Sequence, residues 1–526
     1  MSFMISVSHS LWELQRIRTY LSNRRRCHSS SATIVFLMLL FFIADDATAN
    51  YTKLDNYIAE HLSESSELKC SEPKLLPSSI LHACSFTSQK WPAGTDTIEG
   101  QAWTHNITIA TPRKLQDIPD TALYFSDGGD NERPGDYLKQ FIMLARLKNG
   151  SVAKERTFSP GAIMDLLVQH TNAVIVYQQQ VPNQPYTFLD APETVLTEDN
   201  LLAESLVRAV NAPDGIDPAA TLLFPMAQAN VAGLYRASEY INTVLENNPI
   251  KHFIVGGASK RAWAIWLATA FDQGTDPQAK QLVSGIVPVA MIQHFPETLK
   301  AIRKSYCHFP KPLSPYVNRH IFQDLLSSYD DRYDRLFADI DPYTYLKKHQ
   351  RFDKIHTLVI QPSSDGYFIP DATHYYYPDL KGDKHIMVIP NTGHGSAMPA
   401  MSYLYGALSN ITALIHGQPL PNYAEDYDHF SHTLTVHTEN KPEHVYVWSA
   451  NNTGARDFRL DSAEFTRQEI LPMLALNDSI TYQWQPEPLK GWTAFFMEMH
   501  YSVPGAKPFV LSTQVYITPD RYSGCR

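Results

Sequence analysis

Seven short apolar runs, at 107–110, 122–125, 173–177, 253–255, 285–290, 357–360 and 386–389, punctuate the chain between about residues 50 and 428. Several read as unbroken Val, Ile and Leu with no polar alternation, the pattern of strands buried on both faces. Longer segments with apolar residues at helical spacing lie between them, the clearest at 228–245, just ahead of the 253–255 run. Strands alternating with helices predict a largely parallel sheet covered on both sides. The stretch 296–348 departs from this pattern. It is rich in Tyr, Phe, Arg and Asp, and it reads either as a cap insertion that shapes a pocket or as a plain helical crossover.

The period changes after about residue 430. Segments 433–437, 445–448, 480–484, 492–496 and 510–517 alternate at period two and are separated by turn residues. They predict a β-sandwich over 431–526, close to the size of an immunoglobulin-like module. No low-complexity linker precedes it, so the sandwich is expected to pack on the α/β part at 50–430.

Composition adds limits rather than detail. The chain has 526 residues, 44% of them apolar and 19% charged, which is ample for a large globular core. A net charge of −10 argues against a nucleic-acid partner. At the N-terminus, Arg24-Arg25-Arg26 precede an apolar stretch at 33–44 and then Ala47-Thr48-Ala49. That stretch is short for a membrane span but suits a signal peptide, so residues 1–49 read as a cleaved leader, with an uncleaved anchor as the alternative. Both readings place the remainder outside the cytoplasm, and no membrane span is expected in the mature chain. Cys70, Cys84, Cys307 and Cys525 then allow two disulfides in three connectivities, Cys70–Cys84 being the shortest loop to close.

The candidate chemistry begins at Phe253-Ile254-Val255-Gly256-Gly257-Ala258-Ser259-Lys260-Arg261. A buried strand runs through a glycine pair into a serine, and the apolar helix pattern 262–268 follows. A serine on such a corner projects from the sheet with the next N–H groups aimed at one point, the layout of a nucleophile elbow. The motif is G-x-S-x-R, with Arg261 where a small residue usually stands. Two further strands lead into matching groups. The run 357–360 is followed by Asp365, with Asp371 a few residues on as an alternative acid, and the run 386–389 is followed by Asn391-Thr392-Gly393-His394-Gly395. The order Ser, Asp, His is that of the α/β-hydrolases.

Each group answers a specific need. A serine hydroxyl is a weak nucleophile and requires a base in contact, here His394, while a carboxylate fixes the tautomer of that base. The oxyanion needs preformed donors. The Lys260 N–H follows the nucleophile directly, and Gly128-Gly129 after the 122–125 strand offer a second backbone approach. The side chains of Lys260 and Arg261 could alternatively receive an anionic substrate. No phosphate-binding loop, dinucleotide fingerprint or H-E-x-x-H pair occurs, and no cofactor or metal is expected.

Across residues 50 to 520 the chain resembles the PhoPQ-activated pathogenicity-related protein family. The matching stretches include Val181-Pro182-Asn183-Gln184-Pro185, Thr197-Glu198-Asp199, Gly257-Ala258-Ser259-Lys260-Arg261, Asp341-Pro342-Tyr343-Thr344-Tyr345, Pro370-Asp371, Pro390-Asn391 with His394, and Gly491-Trp492-Thr493-Ala494-Phe495-Phe496. The resemblance implies an α/β-hydrolase-like fold with a β-rich C-terminal domain in an exported protein. It also makes Arg261 part of the family's own corner. Ala262, where the family usually has Gly, and the polar Ser126-Asp127 entry to the glycine pair are departures from its pattern.

The sequence thus predicts a secreted serine hydrolase that acts on a carboxylic ester or amide of a small molecule or peptide. The residues are Ser259, His394 and Asp365 or Asp371, with Lys260, Gly128 and Gly129 at the oxyanion. A serine peptidase, or a hydrolase-shaped binding or adhesion protein, is the alternative.

Overall fold

The runs without polar alternation become the centre of one ten-stranded sheet. The computed structural model describes residues 51–92, 101–130, 160–246, 249–327, 331–395, 401–476, 479–487, 490–502, 508–522 and 524–525. The expected leader at 1–49 lies outside the described residues. In chain order the main strands are β1 (Ser79–Trp91), β2 (Gln101–Pro112), β3 (Thr121–Ser126), β4 (Ile175–Gln178), β5 (His252–Ala258), β6 (Val283–Val289), β7 (His356–Pro362) and β8 (Lys384–Ile389). Two short strands, Lys69–Cys70 and Lys74–Leu75, pair with β1 at the edge.

The sheet order is β1-β2-β4-β3-β5-β6-β7-β8. The β1–β2 and β2–β4 pairings are antiparallel, and every pairing from β4 to β8 is parallel. This reversal of order at β3 and β4, in a mostly parallel sheet with helices on both faces, is the α/β-hydrolase arrangement. Register then aligns the strand ends that carry chemistry. Ser126 faces Gly257, Gly257 faces Pro288, and Pro362 faces Ile389.

The helices used below are α1 (Glu198–Val210), α2 (Leu223–Val244), α3 (Lys260–Asp272), α4 (Phe295–Tyr306), α5 (Arg332–Ile340) and α6 (Met401–Ile415). The periodic segment read at 228–245 is α2, which starts earlier because Pro225 fits a first helical turn. The α3 helix is buried along its whole length, as expected for a helix wedged between a sheet and further helices. Trp263 and Trp266 are core residues there. Trp263 stacks on Phe295 at 4.1 Å between ring centroids, and Trp266 meets Phe352 edge-on at 4.7 Å. The stretch 296–348 is helical throughout its regular elements, containing α4, α5 and several short turns.

The C-terminal part forms two antiparallel sheets. Its strands are β9 (Tyr423–Asp428), β10 (Thr433–Thr438), β11 (His444–Asn452), β12 (Thr466–Glu469), β13 (Leu474–Leu476), β14 (Ser479–Trp484), β15 (Trp492–Tyr501), β16 (Phe509–Ser512) and β17 (Tyr516–Thr518). One sheet has the order β9-β10-β14-β13. The other is β12-β11-β15-β16, with β17 also on β15. The first of these strands lies ahead of the period change, because Tyr423–Asp428 is half exposed along its length and shows no apolar run.

Leu434, Val447 and Phe495 of these sheets share one apolar cluster with Met387 of β8 and Leu408 of α6. The Val388 N–H donates to Ser512 Oγ at 2.8 Å, and Asn410 Nδ2 donates to the Val510 carbonyl at 2.8 Å. Asn410 opens an Asn-Ile-Thr sequon but is fully buried, which closes it to glycosylation in the folded chain.

Disulfides join Cys70 to Cys84 and Cys307 to Cys525. The second ties the end of α4 to the segment after β17. Nearby, Arg456 reaches from the sandwich into the α/β part and pairs with Asp371, Nη2 to Oδ2 at 2.6 Å, with Nη1 also donating to Ser305. Burial opposes charge on Asp371, but Arg456 outweighs it and holds the carboxyl below its ordinary value. Removing one partner leaves the other charge buried and alone. Arg456→Ala is therefore expected to lower stability by about 3–5 kcal/mol in denaturant unfolding; a loss below about 1 kcal/mol would show the pair to be dispensable.

Candidate active site

At the end of β5 the chain reverses sharply. Ser259 has φ 54° and ψ −129°, a conformation that L-residues rarely adopt. Gly257 makes the reversal possible: a Cβ there would lie 3.1 Å from the Arg261 backbone, where the helix start crosses the strand end. The serine Oγ is thereby projected from the sheet edge, and α3 starts directly behind it with its first N–H groups unpaired within the helix.

The strands beside it deliver two partners. His394 follows β8, and its Nε2 lies 2.8 Å from Ser259 Oγ. Asp365 follows β7, and its Oδ2 lies 2.8 Å from His394 Nδ1. The other carboxylate oxygen accepts the N–H groups of Tyr367 at 2.7 Å and Phe368 at 3.3 Å. Asp365 is 3% exposed, so these contacts take the place of water on a buried carboxylate. In the tautomer with its proton on Nδ1, the ring donates to Asp365 and turns the Nε2 lone pair to the serine hydroxyl. Tyr367 and Phe368 flank the imidazole, with ring centroids 4.1 and 5.6 Å away. Of the two acids weighed from sequence, Asp365 meets the histidine, whereas Asp371 is held by Arg456.

The two cations after the serine are bound inside the protein. Arg261 forms a two-pronged pair with Glu198, Nη1 to Oε2 at 2.8 Å and Nη2 to Oε1 at 2.7 Å, and its Nε donates to the Val181 carbonyl at 2.7 Å. Lys260 Nζ lies 2.7 Å from Glu198 and 2.8 Å from Asp199. Asp199 in turn accepts from Tyr316 and from Tyr367, the tyrosine whose ring lies against His394. Burial alone would push the Glu198 carboxyl up; Arg261, then Lys260, overrule it and hold the group well below the usual carboxylate range. Two anions thus answer two cations, which corrects the reading of Lys260 and Arg261 as receivers of an anionic substrate.

The glycine pair after β3 has divided roles. The Arg261 guanidinium occupies the place where a Cβ of Gly128 would stand. The Gly128 N–H donates to Asp127 Oδ1 at 2.7 Å, and Tyr177 donates to the other oxygen of that carboxylate at 2.6 Å. Burial pushes the Asp127 carboxyl up, against the Tyr177 hydrogen bond and the charge of Arg261. Gly128 therefore makes room for Arg261, with its N–H already engaged. Gly129, at φ 110°, supplies the left-handed turn that follows.

Beside Ser259 opens a cavity of about 40 Å³, lined among others by Lys260, Trp263, Met291, Phe295 and Phe368. Glu198, Asp199 and Tyr367 were not singled out as site residues from sequence. The one available signal was Thr197-Glu198-Asp199, a helix-start pattern whose carboxylates also suit a first turn.

A strained serine at a strand-to-helix corner, on the shared edge of β5, β7 and β8, belongs to the α/β-hydrolase fold. Within that fold the chain is a member of the PhoPQ-activated pathogenicity-related protein family, whose model matches residues 54–459. It is 26% identical over 465 residues to autocrine proliferation repressor protein A of Dictyostelium discoideum, covering 83% of this chain and 84% of that protein. Among solved structures, acetyl xylan esterase 1 from Thermoanaerobacterium overlaps 70% of this chain and 95% of its own, at 13% identity and a TM-score of 0.41. The acetyl xylan esterase of Paenibacillus overlaps 70% and 96%, at 15% identity and the same score. The strand order, rather than these loose overlaps, defines the fold.

The Glu198 side chain keeps 31% exposure, so its clamp is partly screened. Glu198→Gln is expected to cost about 1–3 kcal/mol at neutral pH. A depressed carboxyl stabilises the fold above its unfolded value of about 4.3 and loses that contribution as the pH falls. The deficit of the variant relative to the parent chain should therefore shrink between about pH 7 and about pH 3 in urea unfolding. A deficit that grows in acid would contradict the assignment.

Proposed function

We propose that the protein is an exported serine hydrolase that cleaves a carboxylic ester or amide through an acyl-enzyme. The observation that carries this reading is the continuous contact from Asp365 through His394 to Ser259, at 2.8 Å on each side of the ring. Ser259 Oγ attacks the substrate carbonyl while His394 Nε2 takes its proton, and Asp365 holds the ring and stabilises the imidazolium. The proton then passes to the leaving group as the carbonyl–leaving-group bond breaks. Water, activated by the same nitrogen, hydrolyses the acyl-serine and restores the site.

The oxyanion is received by the Lys260 N–H at the positive end of α3. The second donor is assigned to the Gly129 N–H, because that of Gly128 serves Asp127.

Export is supported by the two disulfides, which belong to oxidising compartments. No helix among the described residues is long and apolar enough to cross a membrane. A division into a catalytic part and an immunoglobulin-like module belongs to the same reading. The order β9-β10-β14-β13 opposite β12-β11-β15-β16 supports it, with the module starting at Tyr423 rather than at 431.

A hydrolase-shaped binding protein is the rival reading. The Dictyostelium relative is named as a repressor of proliferation, which favours it. The Ser259–His394 contact favours catalysis, since binding alone does not call for it.

A fluorophosphonate probe should label the parent chain and leave Ser259→Ala unlabelled; equal labelling of both would sink the assignment. On any ester that is turned over, Asp365→Asn should lower kcat by about 10⁴. Asp371→Asn should act chiefly on stability, and the reverse ranking would exchange the two acids.

A further inference from the structure

The cavity beside Ser259 bears on what the site can accept. Ser259 and Lys260 line it, as does Trp263, one turn further along α3. In the tetrahedral intermediate the carbon sits on Oγ, the oxyanion faces the Lys260 N–H, and the leaving group faces His394 Nε2. The remaining substituent is the acyl group, and the space left for it is this cavity. Tyr367 and Phe368 screen it on the histidine side.

Its walls mix aliphatic and aromatic side chains, and three of the rings are braced against one another. Trp263 stacks on Phe295 at 4.1 Å, and Phe295 meets Phe337 at 5.4 Å. The Trp263 Nε1 donates to the Ile340 carbonyl at 2.6 Å, which fixes α3 to α5. Such a wall does not yield to a longer chain without losing that hydrogen bond and the stacking. At about 40 Å³ the cavity has room for a few small groups rather than for a long chain. The charges beside it are already matched: Lys260 is paired with Glu198 and Asp199, and Arg261 with Glu198. A carboxylate on the acyl group would find the Asp199 side chain and no uncommitted cation among these four residues.

We propose that this is the acyl pocket and that it restricts the substrate to esters of short, uncharged acids of about two to four carbons. The proposal rests on the serine-hydrolase reading of the same site. The step is ordinary acyl transfer: the bond from the acyl carbon to Ser259 Oγ forms, the bond to the leaving oxygen breaks, and water later takes the place of Oγ.

The test uses one leaving group, p-nitrophenol, with acetyl, butyryl and octanoyl chains, on the full chain and on two pocket variants. In the parent protein, kcat/KM for the octanoate should lie at least about tenfold below that for the acetate or butyrate. Phe337→Ala removes a lining ring and should raise the octanoate-to-acetate ratio by about tenfold. Met291→Trp narrows the cavity and should lower the butyrate-to-acetate ratio by about fivefold. Met291 is only half-buried, so this variant keeps the test available if the core truncation does not fold.

Fluorophosphonate labelling of Ser259 is read on the same samples. A flat profile, an optimum at octanoate, or no turnover of any ester, in protein that still takes the label, would overturn the pocket assignment alone. Absence of the label would overturn the hydrolase reading and the pocket with it.

Discussion

Four charges hold the corner on which the site is built. Lys260 and Arg261 directly follow the strained serine, and Glu198 and Asp199 open the helix that faces them. Ser259 is held at a positive φ that costs free energy, and such a conformation persists only where its surroundings over-determine it. The surroundings here are specific. Arg261 is gripped at both ends of its guanidinium by Glu198 and at Nε by the Val181 carbonyl, and the missing side chain of Gly128 lets it lie flat. Asp199 carries the same network to the other side of the site through Tyr367, whose ring covers His394 and whose N–H holds Asp365. Ser259, His394 and Asp365 are therefore held by one connected set of hydrogen bonds and ion pairs.

The sheet supplies the frame on which that network hangs. Parallel strands in register end together, so groups distant in sequence arrive at one edge without long-range adjustment. The helical stretch between β6 and β7 roofs the same edge and gives the cavity its walls. The sandwich is bonded to β8 and α6 through Ser512 and Val510 and to the loop after β7 through Arg456. β8 leads to His394 and the loop after β7 carries Asp365, so two of these attachments bear on the segments that hold both residues.

Much of this was legible in the sequence, for identifiable reasons. Strands buried on both faces are continuous apolar runs, and all seven such runs lie in or overlap strands of the main sheet. β1 escaped because Ser79–Trp91 is an antiparallel strand with alternating exposure and polar residues at many of its positions. β9 escaped for the same reason. The serine corner was readable because strand, glycine pair and helix are local. Asp365 and Asp371 were not separable, since what distinguishes them is Arg456, far along the chain in the loop between β11 and β12. The two roles of Gly128 and Gly129 were equally hidden, because the neighbour that requires the first glycine is a side chain from the next strand's corner. The clamp itself is non-local too. A pair of cations after a serine reads as a substrate site until its anionic partners are placed, and they come from a helix start before the strand.

On the proposed reading Ser259 carries the acyl group during turnover, and that species can be trapped. The protein would be mixed with p-nitrophenyl acetate, quenched rapidly in acid, and measured by intact mass followed by peptide mapping. One acetyl group per chain is expected on the peptide containing Ser259, absent from Ser259→Ala. An acetyl group on any other residue, or turnover with no covalent species on Ser259, would contradict it.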